Sequence, residues 1–148
     1  MQEAYKLSIL HYLAFSILLI VSAVMLFEHK IGFSPNSVLE YYIGNEEKFI
    51  PSQSAGGILK IVLPHIFVFG LLAMVLLHFL VFTKLRYKRS LLLLIYATFG
   101  TALLEIFAPL MIIGGFEFFA YIKLFSFFAL LVLILFISWL LFRVITQK

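Results

Sequence analysis

The chain has 148 residues, 64% hydrophobic and 12% charged, with a formal net charge of +4 and a mean hydropathy of +1.15; soluble domains carry about twice that share of charge, so a water-soluble enzyme is excluded. Nucleic-acid binding is excluded with it, because the 11 Lys and Arg stand mostly at the ends of apolar runs, where membrane topology accounts for them. The absence of Cys and Asp removes disulfides, iron–sulfur clusters, thiolate metal sites and c-type haem attachment, and leaves four His and seven Glu for chemistry.

A spanning helix needs about 20 apolar residues, and the sequence predicts four in one domain, 1–148: an all-α integral membrane four-helix bundle. The first span covers about 7–27; it is too long for a signal-peptide core and has no small-residue cleavage site after Phe27. A loop over 28–56 follows. Within it Ser34 offers an N-cap, Pro35 suits the first helical position and Gly44 suits a stop, which predicts a short helix from Pro35 to Ile43 that either lies on the membrane surface or caps the bundle. Ser52 or Ser54 then offers an N-cap for an early start of the second span near Gly56 and Gly57, giving about 57–83. The third and fourth spans cover about 91–113 and 118–142, a tight hairpin around Gly114 and Gly115.

Short cytoplasmic loops collect Lys and Arg. Between the second and third spans stand Lys84, Arg86, Lys88 and Arg89 with no acid, and Arg143 and Lys148 follow the fourth span on the same side. Both termini are therefore expected in the cytoplasm and the long loop outside, in a bacterial inner membrane. The same cations also suit anionic lipid head groups.

Ionisable side chains inside a bilayer are costly and so mark function by default. His11 lies five residues inside Lys6, and His78 lies six before Lys84, so both sit about 7 to 9 Å inside the cytoplasmic boundary. Imidazoles at matched depth on antiparallel neighbours suit the axial positions of a haem. Tyr96 falls at the same level, placed to bond the outer nitrogen of His78 or a haem propionate. His65 lies five residues after Lys60 near the other boundary, about 20 Å of rise and about 140° of rotation from His78. His29 shares a face with His11 but is flanked by Glu28 and Lys30 in water. Glu105 stands nine residues before Gly114 and Lys123 nine after it, so they share a depth. They suit a buried ion pair that sets the packing of the third and fourth spans, or, with His65, a proton-transfer, quinone or haem-propionate site.

Four helices with histidines near both faces resemble the layout of cytochrome b561-type proteins and of the haem-bearing membrane anchors of respiratory dehydrogenases. The run Tyr41-Tyr42-Ile43-Gly44, Phe49-Ile50-Pro51 with Ser52 and Ser54, Pro64-His65-Ile66-Phe67 and then His78 also resembles a pattern of small bacterial four-helix membrane proteins over about 40 residues; there Leu63 replaces a second His. The small haem-binding protoporphyrinogen oxidases share the length, the helix count and an early His, but their first-helix motif does not continue after His11. These resemblances imply a b-type haem protein of electron transport that carries out one-electron transfer, with quinone or a redox partner protein. His11 and His78 are then the expected ligands of haem b, and His65 with Glu105 and Lys123 forms a second site. The opposing expectation is a cofactor-free structural or assembly subunit of a larger membrane complex or homo-oligomer, in which the histidines bond neighbouring helices.

Overall fold

A computed structural model describes residues 3–81, 83 and 89–146. Among these the chain is all-helical: α1 Glu3–Lys30, α2 Pro35–Ile43, α3 Ala55–Val81, α4 Arg89–Ile113 and α5 Phe119–Thr146. All but α2 are long and apolar enough to cross a membrane, so the protein is a multi-pass membrane protein with four spans. α1 runs past both limits read from hydropathy, α3 and α4 start two residues before theirs, and α5 ends four residues after its own, while α3 ends at Val81 and α5 starts at Phe119, just inside the expected bounds. At 28 residues α1 is about 42 Å long against a hydrocarbon thickness of about 30 Å, so its ends reach the polar layers or it tilts. The basic run from Lys84 to Lys88 lies outside the described residues.

The spans are apolar on every side, as lipid requires. Several hydroxyls within them bond their own helix, Ser16 to Tyr12 O at 2.8 Å, Thr98 to Leu94 O at 2.7 Å and Thr101 to Ala97 O at 2.6 Å, which satisfies these donors in hydrocarbon, whereas the buried Tyr5 and Ser138 hydroxyls have no hydrogen-bond partner among the described residues. α5 is the central element, packed on each of the other four, and its contact with α4 is the most extensive. Two cores result. One joins α1, α3, α4 and α5 through Ile9, Leu13, Leu76, Leu80, Ala102, Ile137 and Leu141. The other lies towards α2 and joins Phe27, Val38, Tyr42, Ile58, Ile112 and Phe127.

The short helix forms where its caps predict. Ser34 Oγ accepts from Ser37 N at 3.0 Å, Ser37 Oγ accepts from Ser34 N at 3.2 Å, and Pro35 opens the helix. Gly44 ends it with φ 89° and donates to Glu40 O. Val38 and Tyr42 are buried against α4 and α5, so α2 caps the bundle. Beyond it Asn45 and Ile50 form a lone antiparallel bridge, Lys48 pairs with Glu40 at 2.7 Å, and Gln53 N donates to Tyr42 O at 2.9 Å. Ser54, the second of the two proposed caps, starts α3 by accepting from Gly57 N at 3.1 Å. At the α4–α5 hairpin Gly115 takes φ 94°, and Phe116 N closes the turn onto Met111 O at 3.1 Å.

Candidate functional site

Two prolines interrupt the spans, and one of them builds the site. Proline has no N–H, so the carbonyl four residues before it loses its helical partner. Pro109 in α4 thereby releases the carbonyl of Glu105. Lys123 on α5 takes that acceptor: its Nζ donates to Glu105 O at 3.0 Å and also to Glu105 Oε1. Ser126, one turn further along α5, donates to the other carboxylate oxygen, Oε2, at 2.8 Å. The carboxylate is thus held at both oxygens, with Glu105 5% and Lys123 7% exposed. An ion pair removed from water endures only with such additional hydrogen bonds.

Beside the pair a cavity of about 30 Å³ opens between α3 and α4. It is lined by Ile61, Val62, His65 and Phe69 of α3, by Glu105, Ile106 and Pro109 of α4, and by Lys123; it has room for about one water. His65 sits at its mouth, exposed, with the edge of Phe69 against its ring at 5.4 Å. Its Nδ1 lies 2.6 Å from Ile61 O. A carbonyl only accepts, so Nδ1 carries the hydrogen, and in the neutral ring Nε2 keeps its lone pair. The site therefore sets a proton acceptor and a cation beside one opening. From above, Tyr42 of α2 reaches the same region: its phenol is held well above the usual tyrosine value, first by burial and then by the negative charge of Glu105.

The structure therefore brings together three of the six residues singled out in the sequence: His65, Glu105 and Lys123. The other three lie elsewhere. His11 and His78 are exposed, and each points about 170° from the buried stripe of its own helix, so neither imidazole turns into the bundle to meet the other. Tyr96 is 75% exposed on α4. Pro109, Ser126 and Tyr42 belong to the site but carry no ionised group at neutral pH, so charge bookkeeping passes over them. The spacing Glu105 to Pro109 is the signal that identifies the freed carbonyl.

Residues 32–148 match a family described as a transmembrane helical domain, Aq_1264_TM. The chain belongs to this family. The matched segment carries α2 to α5 and hence the whole of the cleft, while α1 with His11 precedes it. No curated protein and no solved structure matches the chain significantly.

Proposed function

We propose that this family member is a quinone-binding protein of electron transport in a bacterial inner membrane, with the cleft at His65, Glu105 and Lys123 as its binding site. The observation that carries this is the convergence, at an opening in the membrane-spanning region, of an imidazole Nε2 lone pair and a Lys ammonium fixed by a buried carboxylate. A quinol hydroxyl donates to His65 Nε2, and a quinone carbonyl accepts from Lys123. The cavity holds only about one water, so the head group lies at the mouth, beside Ile61 and Phe69. The electrons require an acceptor, either a b-type haem or a partner protein. The closed bonding of Glu105, Lys123 and Ser126 supports a second reading, in which the pair only fixes the hairpin and the chain is an assembly subunit.

Calorimetric titration of the purified chain in lipid nanodiscs with a short-chain quinol separates the two. Saturable binding that His65→Phe weakens about tenfold, a loss of about 1.4 kcal/mol, with His29→Ala unchanged, supports the quinone site. A wild-type chain that shows no saturable binding leaves the assembly reading.

A further inference from the structure

Although α5 packs on each of the other helices, one stripe of it stays bare. Val132, Phe136, Trp139 and Arg143 stand three or four residues apart, so they share one face over about 17 Å of rise, and all four are exposed. The rings of Phe136 and Trp139 stack with centroids 5.9 Å apart, and the Arg143 guanidinium lies over the Trp139 ring, 4.7 Å from its centroid. The stripe is thus apolar along its length and ends in a cation. That cation is placed by the ring and favoured by the C-terminus of α5, whose last turn it occupies. Its charge is not neutralised within the protein: no carboxylate pairs with Arg143 among the described residues.

The same end of the bundle is basic. Ile9 and Leu13 share a core with Leu141 and Ile145, which sets the start of α1 beside the finish of α5; among the described residues Lys6 and Arg89 join Arg143 there, against the acid Glu3. A flat guanidinium with five N–H donors matches a phosphodiester, which accepts two of them side by side, and an acyl chain matches the apolar stripe beneath it. A phospholipid offers both in this order. A zwitterionic head group brings its own cation to the phosphate, whereas an anionic one leaves the phosphate charge for the protein. We propose that this stripe of α5 holds one anionic phospholipid, with its phosphate on Arg143 and an acyl chain along Trp139, Phe136 and Val132. The four spans put the face in lipid, and charge complementarity selects the head group. Arg143 stands 20 residues beyond Lys123 on the same helix, about 30 Å along its axis, so the inference is independent of the quinone site.

Trp139 is the one tryptophan of the chain, so its fluorescence reports on this face alone. The test uses the full chain in nanodiscs of equal parts phosphatidylglycerol and phosphatidylcholine, with brominated acyl chains placed first on one lipid and then on the other. Brominated phosphatidylglycerol is expected to quench Trp139 more strongly, by an amount that corresponds to an affinity about fivefold higher. Arg143→Gln is expected to remove the preference. Lys6→Gln, which weakens the diffuse field of the basic end without touching the stripe, is expected to leave it as it was. Circular dichroism confirms that each variant keeps its helices, and the comparison of the two lipids on the wild-type chain needs no variant. Equal quenching by both lipids, a preference that survives Arg143→Gln, or one that Lys6→Gln lowers to the same extent would each overturn the proposal.

Discussion

Lys123 is held by two acceptors of one residue, the carboxylate and the carbonyl of Glu105, and the second exists only because Pro109 vacated it. Removing one partner of such a pair strands a charge, while removing both strands none. Lys123→Met is therefore expected to cost about 3 to 5 kcal/mol, and Glu105→Leu combined with Lys123→Met to recover most of that loss; thermal unfolding in micelles followed by circular dichroism reads both. If the double variant is no more stable than the single one, the pair is not the coupled unit that the geometry describes. His65 differs in kind. It lies at the rim with its ring held by Ile61 O and Phe69, so its replacement is expected to alter binding and leave stability almost unchanged.

Among the elements, α2 and the α4–α5 hairpin both depend on a glycine in the left-handed region, with different neighbours. A Cβ on Gly115 meets nothing within 4 Å, so Gly115→Ala pays only the backbone penalty, about 1 to 2 kcal/mol. A Cβ on Gly44 falls 2.7 Å from Ile50 O and 2.7 Å from Ser52 N. Gly44→Ala is accordingly expected to lower the unfolding temperature further than Gly115→Ala. The loop after α2 also responds to acid. Hydrogen bonds from Lys48 and then Asn45 hold the Glu40 carboxyl below the usual carboxylate range. A folded value below the unfolded one stabilises the loop above the ordinary carboxylate pKa, and that contribution fades as the pH falls through the folded value. The amide NMR shifts of Asn45 and Ile50 are expected to move together in that acidic window, and Glu40→Gln is expected to abolish the movement.

At the scale of the whole molecule, the parts legible in the sequence are those that depend on position along the chain. The four spans follow from apolar length, α2 from Ser34, Pro35 and Gly44, and the meeting of Glu105 with Lys123 from their equal distance to the Gly114 turn. What depends on rotation about a helix axis was not legible. Both faces of α1 and α3 are apolar, so nothing in the pattern says that His11 and His78 point outward while Glu105 points in. The Glu105 carbonyl that Pro109 frees was legible in principle, by counting back four residues from the proline. The hairpin itself bears on how the protein enters the membrane. Alone, α4 would bring a carboxylate into the bilayer and α5 an ammonium, each opposed by a partition cost of a few kcal/mol. Joined at Gly114 and Gly115, the two can neutralise each other as they leave water, so the last two spans form one insertion unit, and a chain arrested before Lys123 emerges would hold Glu105 back from the lipid.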